Sequence, residues 1–384
     1  MNSQKRVSST KKTILAIETS CDETGIALVA ASCEASLAPK GREADVLPKF
    51  KVIKNLISSQ IDIHRPFGGV VPNLAKREHL KNLPLLWQRM MNKELRIKRW
   101  RKFLSLIPNS QFLIPKIDLI AVTVGPGLEP ALWTGINFAK GLGEKLGVPV
   151  IGANHMEGHL YSFLLPSQKK TGSKLKVESV KLRFPAIALI VSGGHTILLA
   201  MKSLTSWKNL GETRDDAVGE AFDKVARMLK FPYPGGPEIE KLAGRGNFAA
   251  INFPRPMIYD KNYDFSFSGL KTSVLYFLRD NPKAKKADVA ASFQQAAVDV
   301  LVHKTFKATE EYKAKSVILA GGVAANKLLR ETLSKETKHR KLTLHMPDSA
   351  YNTDNAAMIA AAGYFVHLRR KRRYKLIAQG HLGI

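Results

Sequence analysis

Short apolar runs separated by polar, glycine-bearing turns recur along this chain, and their spacing predicts most of its elements. Ile14-Leu-Ala-Ile17 and Ile26-Ala-Leu-Val-Ala30 flank the polar string Glu18-Thr-Ser-Cys-Asp-Glu-Thr-Gly25, a pattern that predicts strand, turn, strand. After a longer polar connection, Val52 to Gln60 predicts another strand, and Gly68-Gly-Val-Val-Pro72 a turn into a helix beginning near Asn73. Asp118-Leu-Ile-Ala-Val-Thr-Val124 has the unbroken apolar character of a buried strand, followed by Gly125-Pro-Gly127 and a helix from Ala131 to Leu146.

The same order returns further along. Ala186-Ile-Ala-Leu-Ile-Val191, Ser192-Gly-Gly-His-Thr196 and Ile197-Leu-Leu-Ala200 predict strand, small-residue turn, strand. Ser316-Val-Ile-Leu-Ala320, Gly321-Gly322 and a helix from Val323 predict strand, glycine turn, helix. A hairpin followed by strand, glycine turn and helix thus occurs twice, which implies an internal duplication: two similar α/β lobes with a cleft between them. The expected division is a basic tail over 1–12, a first lobe over 13–153 completed by a C-terminal helix in 356–384, and a second lobe over 154–355. Glycine turns at strand ends facing one cleft can cradle a nucleotide, because only glycine lets backbone N–H groups come close to phosphate.

The second half adds polar groups that such a cleft could use. Asp215 to Lys224 opens a helix with Val218, Ala221, Phe222, Val225 and Leu229 on its apolar face, and Asp216, Glu220 and Asp223 are expected on another. A carboxylate there could accept both hydroxyls of a ribose; it could equally be a solvated acidic face. Tyr233-Pro-Gly-Gly-Pro237 is a tight turn into a helix that carries Glu240 one turn in. Asp264-Phe-Ser-Phe-Ser-Gly-Leu-Lys271 is expected to be a loop that contacts substrate or packs on the core.

Two histidines, His155 and His159 in His155-Met-Glu-Gly-His159, stand four residues apart, so on a helix their imidazoles share a face and can share a metal ion. Glu157 falls roughly 200° around the helix from His155 and points away, unlike the acid that directly follows the first histidine in zinc proteases. The third ligand must come from elsewhere, and Asp354, in the polar turn before the apolar run Ala356 to Ala362, is the candidate.

Charge then narrows the partners. The chain has 384 residues with 60 Lys and Arg against 32 Asp and Glu, a net charge of +28, which favours a polyanion, RNA or DNA before membrane. No apolar run approaches the roughly 20 residues that cross a bilayer, so membrane insertion is not expected. Only Cys21 and Cys33 are present, which fits a reducing interior rather than a disulfide framework. Residues 1–12 carry Lys5, Arg6, Lys11 and Lys12 and no acid, as a mitochondrial transit remnant or a basic tail would. Gln88 to Lys102 is strongly basic, with Trp87, Trp100 and Phe103 interleaved, and suits either nucleic-acid contact or a solvated helix. A second basic cluster lies over Leu368 to Lys375.

The strings around Glu18, His155, Val191, Asp216, Tyr233, Phe265, Gly321 and Thr353, quoted in part above and ending in Thr353-Asp-Asn-Ala-Ala-Met358, resemble in order those of the universal tRNA threonylcarbamoyladenosine transferases, once labelled O-sialoglycoprotein endopeptidases. The resemblance runs from about Thr13 to about Gly363, and Met156-Glu157 is similar to the bacterial and organellar branch. It implies the duplicated actin-like, sugar-kinase-like (ASKHA) α/β fold. It implies a divalent metal, zinc or iron, on His155, His159 and Asp354. It implies contacts from Ser192, Gly193, Gly194 and His195 to the phosphate and acyl part of a nucleotide, from Asp223, Gly236 and Glu240 to its ribose, and Asn326 beside its adenine. The implied reaction moves threonylcarbamoyl from threonylcarbamoyl-AMP, made by a separate synthase, to N6 of adenine 37 in tRNAs reading codons that begin with A. A homodimer in the mitochondrial matrix is the implied setting. A kinase or ATPase of the same fold would share the cradle without needing the metal set, and a nucleic-acid scaffold would leave the glycine turns idle.

Overall fold

β1 (Lys12–Glu18) and β2 (Glu23–Ser32) form the hairpin expected around the first polar string, with Lys12 opposite Ala31 and Glu18 opposite Gly25. β3 (Lys49–Ser59) pairs antiparallel to β2. β4 (Leu119–Gly125) pairs parallel to β1, and β5 (Val150–Asn154) parallel to β4. The sheet order is β3-β2-β1-β4-β5. The second sheet holds β6 (Ala186–Val191), β7 (Thr196–Ser203), β8 (Ser206–Glu212), β9 (Ser316–Ala320) and β10 (Thr343–His345) in the order β10-β9-β6-β7-β8. From the β8 edge, this reads third, second, first, fourth, fifth, with the same two antiparallel and two parallel pairings. The two sheets are topological copies. These features come from a computed structural model that describes residues 11–32, 47–91, 116–167, 182–369 and 374–384.

The helices follow from where apolar side chains must go. α1 (Ile61–His64) is a single turn, and α2 (Pro72–Met91) and α3 (Glu129–Leu146) cover one face of the first sheet. Leu83, Leu86, Ile136, Ala139 and Leu142 meet Leu15, Ile17, Ile26, Ile120 and Val122 there. In the second half α5 (Val218–Met228), α6 (Gly235–Ala243), α7 (Ser268–Asp280), α8 (Lys286–Glu311) and α9 (Lys327–His339) pack around the outer face of the second sheet. Between the sheets lie α4 (His155–Tyr161) and α10 (Ala356–Leu368). The central core joins Ile14, Ala16, Ala27 and Val29 of one sheet to Ala188, Ile190, Leu199 and Ile318 of the other through these two helices. α10 is buried on every side, as its unbroken apolar sequence requires. A Cβ on Gly363 would lie 2.5 Å from Ala121 Cβ, so glycine sets how closely α10 lies on β4.

Some elements differ from expectation. The helix expected from Val323 starts at Lys327, after a 3₁₀ turn at Gly322–Ala325, because Asn326 Oδ1 accepts from Leu329 N and fixes the helix start there. The expected loop Asp264 to Lys271 is half helix, with Ser268 opening α7, and its aromatics are core: Phe265 and Phe267 are fully buried with ring centroids 6.3 Å apart. The basic run beyond Met91, most of the connection from Ser36 and the clusters at 1–10, 168–181 and 370–373 lie outside the described residues.

Candidate metal centre and cleft

β5 runs straight into α4, and Asn154 caps that helix, its Oδ1 accepting from Met156 N at 2.8 Å and Glu157 N at 3.2 Å. His155 and His159 therefore project from one face at successive turns. In the second half, β10 leads through a polar turn to α10, which Asn355 caps through Met358 N at 3.0 Å, with Asp354 just before the cap. β5 and β10 are equivalent strands, so α4 and α10 are equivalent helices, and the three candidate ligands come from corresponding ends of the two halves. The helices cross closely at Gly158, where a Cβ would stand 2.9 Å from Ile359 Cδ1 and 3.1 Å from Met358 Cγ.

Asp354 Oδ1 lies 3.4 Å from His155 Nε2 and 3.1 Å from His159 Nε2, and the imidazole centroids are 4.8 Å apart. The potential ligand atoms all fall within 4.8 Å of one another. Nδ1 of buried His159 has no hydrogen-bond partner among the described residues, and its Nε2 faces Asp354 Oδ1. Two imidazoles and a carboxylate converging on one buried point fit a divalent ion. Behind His155, Glu18 Oε2 and Ser20 Oγ each stand 3.2 Å from Nδ1. Glu18 is itself fixed by Thr123 Oγ1 at 2.6 Å and Ser20 N at 2.5 Å. Such a carboxylate–histidine contact orients the other ring nitrogen toward the ligand position. Burial works against charge on His155, but Asp354 and Glu18 outweigh it and hold its pKa well above the usual histidine value. Burial likewise opposes charge on Asp354, and the two imidazoles overcome it, keeping the carboxyl far below the usual carboxylate range. Glu157 points away from this cluster, as the helix geometry demands; its Oε1 accepts from Tyr374 OH and Arg369 Nη1.

The Ser192–His195 turn closes on itself, Ser192 N donating to His195 O at 2.8 Å and His195 N to Ser192 Oγ at 3.1 Å. Gly219 packs beneath it, where a Cβ would be 2.5 Å from Ser192 O, while Gly193 and Gly194 face open space. Burial, with His155 and His159 nearby, pushes the His195 pKa down to about 4, so its ring is neutral at pH 7 and the turn adjoins the candidate metal set. Asp223 Oδ1 accepts from Gly235 N at 2.7 Å, and burial raises its pKa; Gly236 beside it faces open space. Glu240 Oε1 accepts from Lys327 N at 2.9 Å, at the start of α9. Asn326 Nδ2 donates to Gln294 Oε1 at 2.9 Å while its oxygen caps α9, so its side chain is engaged within the protein. Asp216 does not share a helical face with Glu220 and Asp223: it precedes α5, and Lys224 and Lys271 hold its two oxygens at 2.8 and 2.7 Å. Tyr233 OH, 3.2 Å from Asp22 Oδ2, links the turn before α6 to the turn of the first hairpin. Sequence reasoning alone does not mark Glu18, Ser20 and Thr123 as supports of a ligand; the one available signal is an acid ending an otherwise apolar strand.

Solved structures share this architecture. Over 94% of this chain, HypF from T. kodakarensis superposes with a TM-score of 0.52 at 13% identity. A full-length HypF in phosphate- and nucleotide-bound form gives 0.53 at 12%. The chain spans about half the length of those two HypF chains, 48% and 47%. With its duplicated sheets, this is an α/β protein of the actin-like, sugar-kinase-like class. Residues 51–361 match the family model described as tRNA N6-adenosine threonylcarbamoyltransferase. Relatives of that name include one from Thermosipho melanesiensis, 47% identical over 91% of this chain and 94% of its own. Another, from Moorella thermoacetica, is 43% identical over 94% of each. The chain belongs to the tRNA N6-adenosine threonylcarbamoyltransferase family and is a transferase of tRNA modification.

Proposed function

We propose that this enzyme transfers the threonylcarbamoyl group of threonylcarbamoyl-AMP to N6 of adenine 37 in tRNAs reading codons that begin with A. The observation that carries this reading is the convergence of His155, His159 and Asp354 into one metal-competent set, with the Ser192–His195 turn near enough for the two imidazoles to help depress the His195 pKa. The adenine amine attacks the carbamoyl carbon, the carbon–oxygen bond to phosphate breaks, and AMP departs as the amine gives up a proton. A divalent ion on the three ligands, zinc or iron, would polarise the carbamoyl oxygen. Gly193 and Gly194 allow the backbone to approach the phosphate and acyl part, and Asp223 with Gly236 and Glu240 borders the ribose. Asn326 would lie beside the adenine; its own amide donates to Gln294. Positioning both reactants and stabilising the charge that develops on the carbamoyl oxygen do most of the work in such a site.

The adenylate would come from a separate synthase. The acid-free residues 1–12 and the net charge of +28 support a mitochondrial matrix location. A homodimer is part of the same reading. Metal-loaded protein with threonylcarbamoyl-AMP and unmodified tRNA should yield modified tRNA and free AMP, whereas ATP in place of the adenylate should not. Transfer only with ATP, or phosphorylation of a small molecule, would replace this reading with that of a kinase.

A further inference from the structure

Glu157 is fully buried on the side of α4 opposite the two histidines, and its carboxylate is gripped from the far end of the sequence. Oε1 accepts from Tyr374 OH at 2.7 Å and from Arg369 Nη1 at 3.2 Å. Arg369 lies over Trp207, its guanidinium carbon 4.4 Å from the ring centre, and also donates to Leu204 O at 3.3 Å and to Tyr161 OH. Tyr374 bridges to Gly152 in β5, where a Cβ would meet Tyr374 Cβ at 3.1 Å. From there the segment 374–384 follows the ends of the first sheet. Gln379 N donates to Val124 O at 2.8 Å, and Gly127 N to Gly380 O at 3.1 Å. Asn154 Nδ2 donates to Gly383 O at 2.9 Å. Asn154 is the cap of α4, so one strap holds that helix both at its cap and at its back.

A seven-residue helix does not fix its own orientation, and most of what holds it must be tertiary. Burying a carboxylate without partners is costly, and a buried ion pair is weak evidence of stability by itself, so a pair kept here points to a gain in specificity. Rolling α4 about its axis would carry both imidazoles away from Asp354 while dragging Glu157 out of the reach of Tyr374 and Arg369. We propose that Glu157, tied to Tyr374 and Arg369, is a positioning residue that fixes the roll of α4 and so sets the two imidazoles for metal capture. This rests on the reading that His155, His159 and Asp354 take a divalent ion.

Cobalt(II) alone is the probe, titrated into metal-free full-length protein and followed by its visible d–d absorption, with a thermal melt alongside. Tyr374→Phe removes only the donated hydroxyl, and Glu157→Gln keeps the shape of the side chain while removing its charge. Each should raise the cobalt dissociation constant roughly tenfold and change the visible spectrum, as loss of an outer support of a metal ligand does. Each should still load one ion per chain at saturation, and the double variant should bind no more weakly than Glu157→Gln. Lower melting temperatures with unchanged affinity and spectrum would overturn the positioning role and leave the metal reading standing. Wild-type protein that takes up no cobalt would overturn both.

Discussion

Adjacent glycines at the end of β9 do opposite work. Gly321 has φ +93°, and a Cβ there would lie 2.3 Å from Val191 O, while Gly322 faces open space. Gly321→Ala should therefore cost about 2 kcal/mol or more in urea unfolding, from left-handed strain and the clash with backbone that cannot give way. Gly322→Ala should leave stability within about 0.5 kcal/mol, as an unstrained substitution does, and should weaken adenylate binding only if this turn joins Gly193 and Gly194 in the proposed nucleotide cradle. Equal losses of stability would show that both glycines serve packing alone. The sequence string Gly321-Gly322 marks the turn without distinguishing these roles, since they depend on a strand 130 positions earlier. The direction of Glu157, away from the two histidines, was legible because 3.6 residues per turn is a local rule. Glu18 was not legible as the support of His155, because that contact spans 137 positions and leaves no local pattern.

α8 shows what an element can hide. Most of its length is buried, and Lys304 is fully buried in it, with Nζ donating to Asn262 O at 3.3 Å and to Asp264 O, and 5.8 Å from the Phe265 ring. Burial pushes its pKa from 10.5 down to about 8. Between those values the unfolded chain keeps a proton that the folded chain has released, so this group adds stability as pH rises. Below about pH 8 its full burial penalty is present. Against Lys304→Met, wild-type protein should gain unfolding free energy from pH 8 to pH 10 with a slope no steeper than about 1.4 kcal/mol per unit. A difference that stays flat would mean that the folded amine keeps its proton throughout this range, as a hydrated lysine does. The long apolar strands β1, β2, β4, β6 and β9 were readable because both faces are buried and their runs are unbroken. β8 was not, since Ser-Trp-Lys-Asn-Leu-Gly-Glu is an exposed edge held by pairing with β7. β10 has three residues, too few for a period to register.

For the whole molecule, duplication was legible because the order of elements repeats, although the two halves share no long string of residues. Their pseudo-equivalence explains why candidate ligands far apart in sequence meet: α4 and α10 leave the same end of the same strand in each half. Charge operates at this scale too. A net +28 fits a tRNA partner whose attraction comes largely from release of its counterions, so the logarithm of affinity should fall linearly with the logarithm of salt. Arg96, Lys98, Arg99 and Arg101 form the densest positive run near the middle of the first half and stand apart in sequence from every proposed ligand of metal or nucleotide. Replacing all four with neutral residues should weaken binding about equally for every tRNA and flatten the salt slope by about 0.9 for each phosphate that is no longer neutralised. Turnover at saturating tRNA should persist, because charge that draws in the substrate acts before the chemical step. Filter binding of two tRNAs that differ in anticodon, at several salt concentrations, gives both numbers. A slope that does not change would make this run a solvated surface and move the tRNA interface to other cations. A loss confined to one tRNA would mean that the run reads bases rather than phosphates.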